Sequence, residues 1–203
     1  YIIFSMIGSY GIHFSILHFI SSEYKDREKI KSIVSGGLIL VLITTSLTTI
    51  IYLICIYPIS NFLDSTEVKD GMLLISPGLF LFSINKLLLN GVINGLNKMK
   101  LFSLIQSLRY LFILLALILA SKFSIRGSSL SFVFSVSEIL IFIVLIIVVS
   151  NIIRWWEGRD FWVWLKNHLK FGTKSFLGGI LLEMNSRVDI LMIGFILSDT
   201  EVG

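Results

Sequence analysis

The run Ile139-Leu140-Ile141-Phe142-Ile143-Val144-Leu145-Ile146-Ile147 contains no polar residue and no period-2 alternation. A barrel strand alternates lipid-facing and lumen-facing side chains, so this run belongs to a helix. With its flanks it forms an apolar segment over 129–150, long enough for the ~20 residues a helix needs to cross a hydrocarbon core. Five further segments pass the same test, at 1–20, 33–57, 71–93, 101–121 and 171–197. Only helices and closed barrels satisfy their own backbone in lipid. The expected fold is therefore an all-α polytopic membrane protein with six transmembrane helices.

The composition agrees. The 203 residues are 55% hydrophobic and 15% charged, and mean hydropathy is +0.90. A soluble domain carries roughly a quarter of its residues as charges, so this chain has too few to cover a water-exposed surface. Disorder needs low hydrophobicity and high net charge. Two Pro and a single Cys exclude collagen-like and disulfide-stapled classes. The connections are too short to hold a soluble domain.

Lys and Arg sort by loop. The connections 21–32, 94–100 and 151–170 hold ten of the seventeen, whereas 58–70 and 122–128 hold only Lys69, Lys122 and Arg126. The positive-inside rule makes the first set cytoplasmic, so the net charge of +4 reads as topology, not as a sign of nucleic-acid binding. The chain starts without Met and already within a span. It is expected to be a fragment whose first helix lies upstream, truncated again after the last span.

Charges at mid-bilayer cost about 2.5–3.5 kcal/mol each on the insertion scale. Lys86, Arg109, Glu138, Lys174, Glu183, Arg187 and Asp189 fall within spans. Lys174 and Lys86 are near enough to a span end to snorkel, and Arg109 stands between snorkelling and a buried role. Glu138 is too deep for a short carboxylate to reach water. Glu183 and Arg187 are four apart with the acid first, as in a helical ion pair. Asn185 and Asp189 lie about 200° around the same helix. Two readings stand for this cluster: a self-neutralised structural pair, or a polar cavity for a hydrophilic substrate or coupling ion. Thr44, Thr45, Thr48, Ser103, Ser135 and Ser137 read as hydroxyl contacts between helices, and Gly36-Gly37 and Gly178-Gly179 as sites of close approach.

Trp155, Trp156, Trp162 and Trp164 cluster with Arg154, Glu157, Arg159 and Asp160, an amphipathic element suited to the headgroup layer. Nucleotide loops, HExxH and CxxC are absent, and the outer loops are too short to enclose a sugar donor. No enzyme activity, cofactor or metal is expected.

Several segments carry a family resemblance. Lys170-Phe171-Gly172-Thr173-Lys174-Ser175-Phe176-Leu177, continued by Asn185-Ser186-Arg187-Val188-Asp189-Ile190-Leu191 and Ser198-Asp199-Thr200-Glu201-Val202-Gly203, resembles the seventh helix of polysaccharide and lipid-linked oligosaccharide flippases. These are the O-antigen and teichoic-acid export proteins of the multidrug/oligosaccharidyl-lipid/polysaccharide superfamily. His18-Phe19-Ile20-Ser21-Ser22-Glu23-Tyr24 resembles that family's second-to-third helix connection. Gly91-Val92-Ile93-Asn94-Gly95-Leu96-Asn97-Lys98-Met99-Lys100 resembles its fourth-to-fifth, and Gly127-Ser128-Ser129-Leu130-Ser131 the start of its sixth helix.

The resemblance implies a partial MATE-like two-lobe transporter. Residues 1–150 would be five helices of the N-terminal lobe, 151–170 a cytoplasmic inter-lobe linker, and 171–203 the first helix of the C-terminal lobe. It further implies a multi-pass protein of the cytoplasmic (inner) cell membrane. Its partners would be a polyprenyl-pyrophosphate-linked oligosaccharide, membrane lipids and a coupling cation, with no nucleic acid. Arg187, Arg109 and Lys86 become candidates to meet the pyrophosphate, Asp189 to carry the cation, and Glu183, Glu138 and Asn185 to line the pathway. His18 departs from the family, which has Arg there. A cation-coupled multidrug exporter and a non-transporting membrane scaffold are the rival readings.

Overall fold

Asp26 stops the chain after the second helical segment and starts the longest described connection across the bilayer. Its carboxylate accepts the Lys29 N–H at 3.1 Å, capping a helix that runs from Arg27 to Phe62. At 1.5 Å per residue this helix is roughly 54 Å long, well beyond the ~30 Å hydrocarbon core. Its charged first turns therefore stand in the headgroup layer. In the computed structural model, which describes residues 2–125, 127–154, 156 and 160–196 and side chains from 3 to 181 within them, every described element is helical. The order is α1 Ile2–Ser9, α2 Ile12–Ser22, α3 Arg27–Phe62, α4 Thr66–Lys86, α5 Met99–Lys122, α6 Phe132–Ile152 and α7 Phe161–Ile196. A π-helical turn, Leu87–Ile93, extends α4, and a 3-10 turn, Gly127–Ser131, leads into α6.

Among the described residues, four helices are long and apolar enough to span, or five if a bent pair counts as one. The four are α3, α4 with its π turn, α5, and α6 with its 3-10 turn. The chain is thus a multi-pass helical membrane protein with four to five candidate spans. The bent pair is α1 and α2, expected as one segment over 1–20, and it turns by 41° between them. Tyr10 (φ 43°) and Gly11 (φ 66°) at the joint both lie in the left-handed region. A Cβ on Gly11 would come within 2.7 Å of the Gly172 carbonyl oxygen, so glycine is required there by both conformation and packing. The sixth expected span, 171–197, falls in α7, which is not among the four, and α7 runs through residues 170 and 171 without a break.

Lipid-facing surface is plain on α3 and α5, where Leu47, Ile54, Leu104 and Leu114 are all more than half exposed. Inside, Ile12, Ile16 and Ile20 are fully buried on α2, which packs against α3, α7 and the π turn. The helices approach through small residues. A Cβ on Gly37 or Gly91 would strike Ile16, and one on Gly36 would strike Trp164.

Two interruptions of the helical ladder are closed by hydroxyls. Pro77 has no N–H for the Leu73 carbonyl, and Ser76 Oγ donates to that oxygen at 2.8 Å. Next to it, Ser135 Oγ of α6 accepts the Gly78 N–H at 3.1 Å and donates to the Leu74 carbonyl at 2.6 Å, bridging two groups that a regular helix joins directly. At the α1–α2 bend, Thr44 Oγ1 donates to the Gly8 carbonyl at 2.7 Å.

The first half of α7 docks on α2 and α3. His168 is fully buried, its Nε2 2.9 Å from the Ile33 carbonyl and its Nδ1 2.8 Å from Ser15 Oγ. A carbonyl only accepts, so Nε2 carries the proton and Nδ1 accepts from the serine hydroxyl. Tyr10 stacks on Phe176 at 5.0 Å, and His18 stacks on Phe171 at 4.8 Å.

A Cβ on Gly78 would come within 2.9 Å of the Ser135 Cα, whereas one on Gly178 would meet open space. Gly78→Ala is expected to destabilise the fold by about 1–3 kcal/mol through overpacking. Gly178→Ala should leave it unchanged or slightly more stable. Thermal unfolding in detergent distinguishes the two.

Candidate functional site

Two polar groupings lie inside the helical bundle, and they differ in chemistry. The first joins α4, α5 and α6. Glu138 is almost fully buried, and its carboxylate meets Arg109 Nε at 3.2 Å. Asn85, fully buried on α4, donates its Nδ2–H to Glu138 Oε2 at 2.7 Å and to the Glu138 carbonyl at 2.9 Å. The Arg109 guanidinium also sits over the Phe82 ring, 5.5 Å from its centroid. A deep carboxylate in lipid requires such partners. The sequence marked Glu138 and Arg109 separately; the fold brings them together and adds Asn85, which composition alone did not single out.

The second grouping is a cavity of about 370 Å³ between α2, the π turn and α7. Lys86, Asn90 and Asn94 line it, spaced four apart so that they follow one face of the helix. The π turn of Leu87–Ile93 lies on this face, and such wide turns recur at functional sites. Ser9, His13 and Ser175 complete the polar wall, and no carboxylate stands among the described lining residues. Lys86, near enough to a span end to snorkel and a pyrophosphate candidate by the resemblance, lines this cavity.

The cavity shares Phe14, Leu17, Ser175 and Gly179 with an apolar groove of about 570 Å³ between α2 and α7. Ser21, Phe171, Gly178 and the stacked ring of His18 form the rest of its wall. A cationic and amide-lined pocket thus opens into an apolar trough, a shape suited to an amphiphile with an anionic head.

The other sequence candidates, Glu183, Asn185, Arg187 and Asp189, lie outside the residues whose side chains are described. Asn90 and Asn94 were missed, although their spacing from Lys86 was a readable signal. Among the described residues no group of His, Cys, Asp or Glu is placed to hold a metal.

Arg109→Ala leaves Glu138 buried without its cation and is expected to cost about 3–5 kcal/mol. Pairing Arg109→Met with Glu138→Gln keeps the bond to Asn85 and removes both charges, so it should recover most of that loss. Denaturation of the single and double variants in detergent checks this.

The family described as "Polysaccharide biosynthesis protein" matches residues 1–203. No curated protein and no solved structure matches the chain.

Proposed function

The chain belongs to the polysaccharide biosynthesis protein family, and from that premise we propose that it moves a polyprenyl-pyrophosphate-linked oligosaccharide across the cytoplasmic membrane by alternating access. The observation that carries this reading is the junction of the Lys86 cavity with the apolar groove. The cavity offers an ammonium and two amides to the pyrophosphate, and the groove takes the first isoprene units. Charge-assisted bonds to phosphate are the strong class of hydrogen bond. The polar glycan would extend away from the groove, toward the α7 positions that include Asn185, Arg187 and Asp189.

On this reading the protein is a transporter and not an enzyme, and the basic connections face the cytoplasm. Residues 1–150 act as one lobe and the helix after the Trp-rich segment as the start of the second. The closely packed contacts of α7 with α2 and α3, through Gly11, Gly36 and His168, would be remade when the lobes rock. Arg109 and Glu138 neutralise one another and act as a brace for α4, α5 and α6. Lys86 is the described cation on the substrate path, and Arg187 and Asp189 are proposed to supply further ligand and coupling-ion contacts. A cation-coupled drug exporter would need an acidic cavity, and no carboxylate stands among the described lining.

Glycan export by cells carrying the complete protein tests the proposal. Lys86→Gln should lower export about tenfold, the loss of one charge-assisted phosphate contact, while Lys86→Arg retains most of it. Export at the unaltered rate by Lys86→Gln, with protein levels equal, would count against the reading.

A further inference from the structure

Away from the Lys86 cavity, at the end of the bundle where α2, α4 and α6 finish, a second polar cavity of about 740 Å³ opens to the surface. Arg27 and Lys31 line it from α3, Lys98 from the α4–α5 connection, and Arg154 from the residues after α6. A positive-inside bias requires only that these residues emerge on one side of a membrane. It does not require segments distant in sequence to converge on one concave surface.

Three described acids nearby are matched within their own connection. Glu23 and Asp26 are engaged by Lys29 at 3.1 and 3.9 Å, and Glu28 by Lys31 at 2.6 Å. Glu28 is the one carboxylate among the described lining residues. Among the described lining residues four cations thus stand with one carboxylate. The first turns of α3 and α5, beside Arg27 and Lys98, add the partial positive charge of two helix N-termini. The C-terminal ends of α2, of the π turn and of α6 oppose this, so the positive character rests on the side chains, with Ser150 and Asn151 as neutral polar groups. Like charges held in one cavity repel, and an anion bound among them relieves that repulsion.

Depth identifies the kind of anion. Tyr24 lines the same cavity, and Trp156, two residues beyond Arg154, is more than half exposed. Tyrosine and tryptophan mark the headgroup layer. Basic pockets between helices at that level suit phosphate-bearing lipid headgroups, and guanidinium with ammonium gives both forked and point contacts to phosphate. We infer that Arg27 and Lys98, with Lys31 and Arg154 beside them, form a binding site for the phosphate of an anionic phospholipid headgroup, separate from the Lys86 cavity. The site tethers the α2–α3 and α4–α5 connections to the end of α6. It stands whether or not the flippase reading holds.

Native mass spectrometry of the purified protein in detergent, with phosphatidylglycerol or phosphatidylcholine added, tests the site. Phosphatidylglycerol should be retained in preference to phosphatidylcholine. Arg27→Gln with Lys98→Gln should reduce that retention about tenfold, while the charge-keeping pair Arg27→Lys with Lys98→Arg retains it. Lys122→Gln, at the opposite end of the bundle, should change nothing. Millimolar inorganic phosphate that fails to displace the lipid supports the headgroup as the ligand. Phosphate that binds in its place, with no preference between the lipids, overturns that assignment. Equal retention of both lipids, or retention unaffected by the paired Gln variant, overturns the site itself.

Discussion

A helix crossing hydrocarbon must find partners for every polar group it carries, because no water is there to supply them. That constraint organises this protein more than any single contact. Pro77 removes a backbone donor, and Ser76 and Ser135 close the gap. The left-handed bend at Tyr10 and Gly11 interrupts a span, and Thr44 donates to the buried Gly8 carbonyl. Glu138 enters the bilayer only with Arg109 and Asn85 in place. At each point a local departure from a straight apolar helix is answered by a side chain from the same or a neighbouring helix. Those answers fix which helices touch.

The same constraint separates structural polarity from functional polarity. The Arg109–Glu138–Asn85 grouping joins three helices, and its two opposite charges offset each other. The wall of Lys86, Asn90 and Asn94 faces a cavity. The adjoining groove is apolar. Together they match a ligand with one charged end and one hydrocarbon end, the chemistry of the substrate proposed above.

Much of the architecture was legible in the sequence because burial in lipid demands long apolar runs. The runs at 33–57, 71–93, 101–121 and 129–150 each fall within a helix able to span. The break at Tyr10-Gly11 was not legible, since hydropathy summed over 1–20 is blind to a change in φ. Glu138 was recognisable by its depth, but its partner on α5 was not, because pairing between helices depends on register that one sequence does not encode. Asn85 was overlooked beside the more conspicuous Lys86. The family resemblance, carried by segments spread along the chain, agrees with the family match over its whole length. The basic loops were read for their sign alone, and their convergence on one cavity depends on how the helix ends assemble.

The central claim is that the Lys86 cavity receives the pyrophosphate of a lipid-linked substrate. Its most direct test is thiol protection. Cys55 is the single native cysteine and is unpaired, so Cys55→Ser gives a background in which Asn90→Cys places one thiol on the cavity wall. Labelling of that thiol should be slowed severalfold by a polyprenyl pyrophosphate and not by the corresponding polyprenol. Equal labelling rates with and without the pyrophosphate would contradict the account.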